Sequence, residues 1–123
     1  MFKLFVIIGS LNMLASVGLG AFGAHGLKSK LSADMLAVYQ TGVQYHMIHG
    51  LGILLVAALS LKFSASSLIN WSGWLLFLGI ILFSGSLYAL SISGIRILGA
   101  ITPFGGVSFL IGWLLLAFAA IRS

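Results

Sequence analysis

Long apolar runs separated by short polar segments make up almost the whole chain. The four runs are Phe2 to Leu27, about Met35 to Leu61, Leu68 to Ser91 and Leu98 to Ile121. The segments between them cover Lys28 to Asp34, Lys62 to Ser67 and Ile92 to Ile97. A helix needs roughly 20 apolar residues to cross a hydrocarbon core of about 30 Å, so the pattern predicts four transmembrane helices.

The length and continuity of the runs favour helices over strands. In lipid every backbone amide must be paired within the protein, so only helices and closed barrels span a membrane. A barrel would show alternating strands of about ten residues, and these runs do not alternate. We therefore predict an all-α fold, with residues 1–123 forming a single domain. The domain is an integral membrane four-helix bundle with up-down-up-down order and short loops.

The composition indicates that the chain is surrounded by lipid. Hydrophobic residues make up 61% of the 123 residues, charged residues make up 6%, and one side chain is acidic. Soluble domains carry about a quarter of their residues as charged side chains. A chain so poor in charge is not expected to form a water-exposed surface, so membrane lipid is its expected partner. The chain has no cysteine, which excludes disulfides and thiolate metal sites.

The basic residues are single and lie near the ends of the predicted helices. This placement is typical of anchors that reach lipid head groups, so we expect no nucleic-acid partner. With four spans, one side of the membrane carries Lys3, Lys62 and Arg122, and the other carries Lys28, Lys30 and Arg96. Equal numbers give no orientation under the positive-inside rule. Either another signal sets the orientation, or both orientations insert and pair as antiparallel dimers.

Small and hydroxyl-bearing residues recur at steps of three or four on three of the predicted helices. They are Gly9, Asn12, Ser16 and Gly20 on the first, Ser84 and Tyr88 on the third, and Gly105, Ser108 and Gly112 on the fourth. Small residues at this spacing let helix backbones approach closely. We interpret these stripes as helix-packing seams rather than as a substrate path lined by hydroxyls. The spacing leaves open whether the seams lie within one chain or between chains.

Polar side chains are concentrated in the first half of the second predicted helix. At 100° per residue, one stripe of this helix contains Tyr39, Gly42, His46 and His49. Gln40 and Gln44 lie on nearly the opposite face. Because polar groups are costly in contact with acyl chains, this half of the helix either projects beyond the hydrocarbon or is enclosed by other helices.

The three histidines are expected near the same membrane depth. Counting back from Lys62 places His46 and His49 near the head groups, on the side where the first helix ends at His25. A candidate site for a ligand, an ion or a partner therefore comprises His25, His46, His49, Tyr39, Tyr45, Asn12, Gln40 and Gln44.

Histidines at one depth are chemically able to bind a metal, to ligate haem iron or to relay protons. The sequence has no HExxH motif, and no carboxylate lies within a turn of a histidine to orient an imidazole. We therefore expect no metal and no cofactor. Instead we expect the imidazoles to be hydrogen-bonded to neighbouring backbone or to Tyr45.

Enzyme activity has no support in the sequence. Asp34 is the only acidic side chain, and it stands near the start of the second helix, where it or Ser32 would cap the helix. Proton-coupled carriers place a carboxylate inside the bundle. The sequence also lacks a nucleophile–base–acid arrangement and a phosphate-binding loop after a strand. We therefore expect a non-enzymatic protein.

Proline and tryptophan mark the ends and the interior of the later helices. Thr102 followed by Pro103 predicts a helix start, with the threonine as N-cap and Arg96 to Ile101 as a loop or short turn. A helix that begins near Ile95 and is kinked at Pro103 is the alternative. Trp71 and Trp74 suit an aromatic belt, whereas Trp113, midway along its run, is expected to pack.

Four strings of unusual residues resemble a known family. They are Gly20 to Gly26 (GAFGAHG), Tyr39 to His49 (YQTGVQYHMIH), Phe83 to Tyr88 (FSGSLY) and Thr102 to Ser108 (TPFGGVS). In this order, and over the whole chain, they resemble the YgdD/YwdK-like small membrane proteins. The resemblance implies a four-span protein of the bacterial cytoplasmic membrane with both termini in the cytoplasm. It implies no known activity and transfers no catalytic or binding residues.

Three hypotheses for the function remain open. The first is a structural or interaction protein that associates with itself or with another membrane protein, with the polar site on the second helix. The second is a small channel or transporter assembled as a dimer, which antiparallel insertion would allow. The third is a protein that binds haem, quinone or lipid through the histidines.

Overall fold

The computed structural model describes residues 1–63 and 67–123, and these form four long helices. Helix α1 is Phe2–Leu27, α2 is Ala33–Ser60, α3 is Ser67–Ser93 and α4 is Thr102–Arg122, the last preceded by a 3-10 helix over Arg96–Ala100. Two π-helical turns interrupt the regular helix, at Gly23–Leu27 and Ile80–Ser84. The predicted all-α four-helix bundle is confirmed. The loop predicted over Lys62 to Ser67 has its middle, residues 64–66, outside the described residues.

Helix α2 begins two residues earlier than the predicted start near Met35. Ser32 is the N-cap, with extended backbone, and its hydroxyl accepts a hydrogen bond from the backbone N–H of Met35 at 3.2 Å. Asp34 lies in the first turn, where a negative charge complements the helix dipole. Of the two predicted capping residues, serine is the cap and the aspartate is its neighbour.

The helices are arranged with α2 and α3 in the centre. Helix α1 packs on α2, α2 packs on α3, and α3 packs on α4. Met1, Ser60 and Ile69 line one cleft, so the start of α1, the end of α2 and the start of α3 lie at the same end of the bundle. Successive helices therefore run in opposite directions, as predicted.

The predicted seam residues lie at close helix contacts. Gly9 of α1 faces Leu54 of α2, where an added Cβ would lie 2.8 Å from the leucine side chain. Gly105 of α4 faces the backbone of α3, where an added Cβ would lie 2.7 Å from the Cα atom of Phe83. At Gly105 a side chain would push the two helices apart because the clash is with backbone, whereas at Gly9 the leucine side chain would have to move.

Helices α3 and α4 each carry a serine whose hydroxyl donates a hydrogen bond to the backbone of the other helix. Ser72 of α3 donates to the carbonyl oxygen of Gly112 at 2.7 Å, and Ser108 of α4 donates to the carbonyl oxygen of Leu75 at 2.7 Å. All of these bonds are made to backbone within the bundle. The hydroxyls of this seam are thus committed to helix packing.

The start of α4 differs from the predicted capping scheme. The N-cap is Ile101, and Thr102 is already helical, with proline in the first turn. The Thr102 hydroxyl is 2.6 Å from the Ser86 hydroxyl of α3 instead of capping its own helix. A partner hydroxyl on the neighbouring helix therefore replaces the local cap. The short turn predicted before the proline is the 3-10 helix.

The outer surface of the bundle is apolar, and its interior combines an apolar core with buried serines and histidines. Large aliphatic side chains such as Leu14, Leu110 and Ile121 are exposed, whereas Ser16 and Ser84 are fully buried. Each of the four helices is long and apolar enough to cross a membrane. The chain is therefore a membrane protein, and its exposed aliphatic side chains suit contact with lipid.

The tryptophans occupy three different environments. Trp71 is exposed, while Trp74 packs on Phe5 of α1 with the ring centroids 5.5 Å apart. Trp113 points into the bundle and donates a hydrogen bond to His49. Only Trp71 thus has the exposure typical of an aromatic belt residue.

Candidate functional site

The inner face of α2 carries the polar side chains that the sequence places on one stripe. Tyr39, His46 and His49 are all buried, with 1%, 5% and 5% of their surfaces exposed. Gly42 lies between them on the same face and is also buried. Neighbouring helices therefore enclose this stripe.

His46 connects three helices through its two ring nitrogens. Its Nδ1 is 2.9 Å from the Tyr88 hydroxyl of α3, and its Nε2 is 3.0 Å from the Oδ1 of Asn12 of α1. The Asn12 amide nitrogen donates to the Ile8 carbonyl oxygen at 2.8 Å. Because a carbonyl can only accept, this bond fixes the amide with its oxygen toward His46. His46 therefore donates from Nε2, and in the neutral tautomer its Nδ1 accepts from Tyr88.

His49 connects α2 to α4. Its Nδ1 is 2.8 Å from the carbonyl oxygen of Tyr45, and its Nε2 accepts from the indole N–H of Trp113 at 3.0 Å. A carbonyl only accepts and an indole N–H only donates, so this imidazole is neutral with its proton on Nδ1. The bond to Tyr45 is of the kind that the sequence predicts, to neighbouring backbone.

Aromatic rings surround His49 on its remaining sides. The Phe109 ring of α4 stacks on the imidazole with a centroid distance of 3.5 Å and an interplanar angle of 10°. Tyr45 lies parallel to His49 at 6.0 Å and packs against Phe83 at 4.4 Å. These contacts hold the imidazole plane in place, so the orientation of its nitrogens is set by packing as well as by hydrogen bonds.

Tyr39 joins the end of α1 to the start of α2. Its hydroxyl donates to the Leu19 carbonyl oxygen at 2.5 Å, and its ring lies 5.3 Å from the Tyr88 ring. Gly23, at the start of the π-helical turn of α1, is in direct contact with this ring. The turn and the glycine together make room for an aromatic side chain between the two helices.

The arrangement leaves neither buried histidine with a free ring nitrogen. A metal ion or haem iron needs a nitrogen lone pair. Ligation by His49 would displace Trp113, and ligation by His46 would displace Tyr88 or Asn12. Within residues 1–63 and 67–123, no three His, Cys, Asp or Glu side chains are grouped as metal ligands. Three of these four nitrogens bond to another helix, and His49 Nδ1 bonds to the backbone of α2 itself.

His25 does not join the other two histidines, contrary to the prediction of a common depth. It is exposed in the last, π-helical turn of α1. Thirteen residues, about 20 Å of helix at 1.5 Å per residue, separate it from Asn12, which contacts His46. The prediction was wrong because it measured depth from the Lys62 end of α2 alone.

His46 lies at the middle of α2 rather than near the head groups. It follows Ala33 by 13 residues and precedes Ser60 by 14. The 28 residues of α2 span about 42 Å, so a hydrocarbon core of about 30 Å that lies within the length of α2 always includes His46. The stripe of α2 that carries His46 and His49 is thus enclosed by helices.

Gln40 and Gln44 do not line this interior site, and Tyr45 lines it only in part. Both glutamines are exposed on the outer face of α2. Tyr45 is 38% exposed and contributes its backbone carbonyl and its ring. The candidate set therefore divides into an interior cluster of Asn12, Tyr39, His46, His49 and part of Tyr45, an outer pair of glutamines, and His25 alone at the end of α1.

Two residues that bond to the interior cluster, Tyr88 and Trp113, are not identified as site residues by the sequence pattern. Tyr88 was interpreted as a seam residue and Trp113 as a packing residue, yet each provides the partner of a histidine. Both are aromatic side chains with a hydrogen-bonding group inside a long apolar run. In lipid such a group needs a partner, and this was the signal available in the sequence.

The chain matches one protein family model and many individual proteins. The model described as protein of unknown function (DUF423) matches residues 19–106. The UPF0382 membrane protein YwdK of Bacillus subtilis is 55% identical over 120 residues, which cover 98% of both chains. The UPF0382 membrane protein SERP0230 of Staphylococcus epidermidis is 52% identical over 120 residues, which cover 98% of this chain and 97% of the relative. No solved structure matches significantly.

Proposed function

Since the chain belongs to the DUF423 family of proteins of unknown function, we propose a function from its own geometry: it is a non-enzymatic membrane protein that works by associating with other transmembrane helices. In this proposal the histidine-centred hydrogen bonds hold its bundle rigid. The outer surface of the bundle, rather than its interior, then makes the functional contacts.

The observation that carries the proposal is the commitment of both ring nitrogens on both buried histidines. His46 is bonded to Asn12 and Tyr88, and His49 is bonded to Tyr45 and Trp113. Polar groups inside a membrane are costly and often mark a substrate or proton path. Here each of the four ring nitrogens is paired within the chain, which supports a role in holding helices together.

The placement of the acidic residue also supports a non-enzymatic role. Asp34 is exposed in the first turn of α2, at least a full turn from any histidine in sequence. The interior cluster therefore contains no carboxylate to act as a general acid or base. Neutral imidazoles, amides, hydroxyls and an indole are suited to fixed hydrogen bonds.

We further propose the bacterial cytoplasmic membrane as the location, with both termini in the cytoplasm. The relatives named above are membrane proteins of bacteria. The family resemblance of the sequence motifs favours a cytoplasmic C-terminus, and the even number of helices puts the N-terminus on the same side.

The proposal is tested by extracting the protein from its native membrane into polymer-bounded lipid discs. Mass determination of intact discs should give two or more protein chains per disc, either copies of the 13.0 kDa chain or a copy with another membrane protein. Absorbance and mass spectrometry of the same discs should give no chromophore or tightly bound organic ligand. The His46→Leu variant serves as a control for any ligand signal.

Two outcomes would contradict the proposal. Discs that contain a single chain and no second protein would remove association as the function. A chromophore or ligand that disappears in the His46→Leu variant would instead support the third hypothesis, a binder of haem, quinone or lipid.

A dimeric channel or transporter is the second candidate, and the distribution of charge favours it. Lys3, Lys62 and Arg122 stand at one end of the bundle, and Lys28, Lys30 and Arg96 stand at the other. This balance suits insertion in both orientations. Ion or dye flux through liposomes that contain the protein, above the flux of empty liposomes, would establish this candidate in place of the first.

A further inference from the structure

The outer face of α2 carries two amide side chains that have no hydrogen-bond partner within the described part of the chain. Gln40 and Gln44 lie one helical turn apart, and both are exposed. They belong to a line of exposed residues at steps of three or four, which we call the α2 strip. The α2 strip consists of Ala37, Gln40, Gln44, Ile48, Leu51 and Leu55.

The depth of Gln44 makes its exposure unusual. Gln44 follows Ala33 by 11 residues, or about 17 Å of a helix about 42 Å long. A hydrocarbon core of about 30 Å that lies within the length of α2 therefore always includes Gln44. An amide in hydrocarbon without a hydrogen-bond partner carries a large desolvation cost, so a membrane protein is expected to supply a partner.

The outer face of α1 provides a comparison. Its exposed residues at the same spacing are Leu4, Ile7, Leu11, Leu14 and Val17. These side chains are all aliphatic, as acyl chains require. The α2 strip has the same geometry but carries amides in its first half. Contact with lipid alone accounts for the α1 face but not for the α2 strip.

We propose that two copies of the chain form a parallel dimer in the membrane through the α2 strip, with Gln40 and Gln44 of each copy hydrogen-bonded to the same residues of the other. The inference rests on the proposed function and identifies the partner as a second copy. An amide has both donors and an acceptor, so it is complementary to itself. A two-fold axis places each residue near its own counterpart. The strip has no charged residue that would select a charged partner.

The positions of the glutamines favour a parallel over an antiparallel pair. An antiparallel pair that crosses at the middle of α2 would place Gln44 opposite Leu51 and Gln40 opposite Leu55 of the other copy. Amides would then face aliphatic side chains and gain no hydrogen bond. A parallel pair brings both glutamines to their counterparts at one depth and leaves Leu51 and Leu55 to pack on each other.

Cysteine cross-linking in native membranes tests the interface and its direction, because the chain has no cysteine of its own. Single variants Ala37→Cys and Leu51→Cys should each form a disulfide-linked dimer under mild oxidation, since identical positions meet in a parallel pair. The variant Leu14→Cys, on the exposed face of α1, is the matched control and should remain a monomer. In an antiparallel pair, Ala37→Cys would cross-link only when mixed with Ala58→Cys.

Substitution of the amides tests their contribution separately from the cross-links. Labelled chains in liposomes are diluted with lipid, and energy transfer between chains measures the dimer fraction. Replacing both Gln40 and Gln44 by leucine should raise the protein-to-lipid ratio for half-dimerisation at least fivefold, because interhelical hydrogen bonds are lost. The control Ser10→Leu removes an exposed polar group from α1 and should leave the ratio unchanged.

The outcomes separate this inference from the proposed function. Equal cross-linking of Leu14→Cys and Ala37→Cys, or an unchanged dimer fraction in the double leucine variant, would overturn the α2 strip as the interface. Discs that contain one copy with a different membrane protein would overturn the dimer and leave the proposed function standing. Discs with single chains alone would overturn both.

Discussion

At the level of single residues, His46 and His49 use their ring nitrogens in opposite senses. In its neutral form His46 donates from Nε2 to Asn12, whereas His49 donates from Nδ1 to the Tyr45 carbonyl oxygen and accepts at Nε2 from Trp113. The two imidazoles are three residues apart on one face of α2. Because the tautomers are opposite, His46 can donate a hydrogen bond to α1 while His49 on the same face accepts one from α4.

Replacing Trp113 by phenylalanine should destabilise the bundle by about 0.5 to 2 kcal/mol, the range of interhelical hydrogen bonds in membrane proteins. The variant leaves the Nε2 of buried His49 without a donor but keeps an aromatic ring at the position. The free energy of unfolding is measured by titration with a denaturing detergent. A double-mutant cycle with His49→Leu isolates the hydrogen bond from the loss of packing.

Trp71→Phe is the control for the tryptophan variant, because Trp71 is 61% exposed and its replacement should have a smaller effect. If Trp113→Phe and Trp71→Phe lower the free energy of unfolding equally, or if the cycle with His49→Leu gives no coupling, the bond between Trp113 and His49 does not stabilise the protein.

The sequence predicts the face on which the histidines lie but not the groups that bond to them. The steps from Tyr39 to Gly42, His46 and His49 follow the helical period, which depends on one helix alone. Their partners Asn12, Tyr88 and Trp113 come from three other helices. Which residues meet depends on the register between helices, and the residue pattern of each single helix does not determine that register.

At the level of the helices, close packing depends on glycine where two backbones meet. At Gly105 an added Cβ would lie 2.7 Å from the Cα atom of Phe83, whereas at Gly18 of α1 it would meet no atom within 4 Å. The two glycines therefore form a matched pair: both are helical, and only one is at a contact between helices.

Gly105→Ala should lower the free energy of unfolding by about 1 to 3 kcal/mol, the usual cost of overpacking. A backbone atom cannot rotate away as a side chain can, so α3 and α4 must separate. Gly18→Ala should be neutral or raise stability by up to about 1 kcal/mol, because alanine is the better helix former. Detergent titration of both variants measures the difference. Equal stability of the two variants would show that the α3–α4 contact tolerates a methyl group.

The capping residue was among the predicted candidates where local chemistry sets it and was missed where a neighbouring helix does. Ser32 caps α2 through its own backbone neighbour Met35, a contact that the local sequence contains. Thr102 has the residue type and the following proline of an N-cap, yet its hydroxyl bonds to Ser86 of α3. The interhelical contact replaces the local one, and the helix begins one residue earlier than the cap would require.

At the level of the whole molecule, the four alternating helices fix which ends share a side of the membrane. Introduced cysteines at Lys3 and Lys62 should react with a membrane-impermeant thiol reagent from one side, and a cysteine at Lys30 from the other. Labelling of intact cells, compared with inverted vesicles, measures this. Under the proposed orientation Lys30→Cys reacts in intact cells and the other two do not. Labelling of all three from both sides would indicate insertion in both orientations.

The overall architecture could be predicted almost entirely from the sequence, whereas the depth of the polar residues could not. Four apolar runs determine four spans because the width of the hydrocarbon core sets their length. The position of a span along its axis is less constrained, since α2 is about 12 Å longer than that core. For this reason the assignment of His46 to the head-group level was wrong. The bond from His46 to Asn12 relates the depth of His46 to a second helix, α1.

The bonds from α2 to all three other helices imply an order of events during synthesis. When α2 enters the membrane, His46 finds Asn12 already present, because α1 precedes it along the chain. The second partner of His46, Tyr88, is present only after α3 has been inserted. The donor to His49, Trp113, lies on α4 and is therefore inserted last. A nascent chain that ends before α4 therefore keeps an unbonded nitrogen in the bilayer, which distinguishes truncated molecules from complete ones.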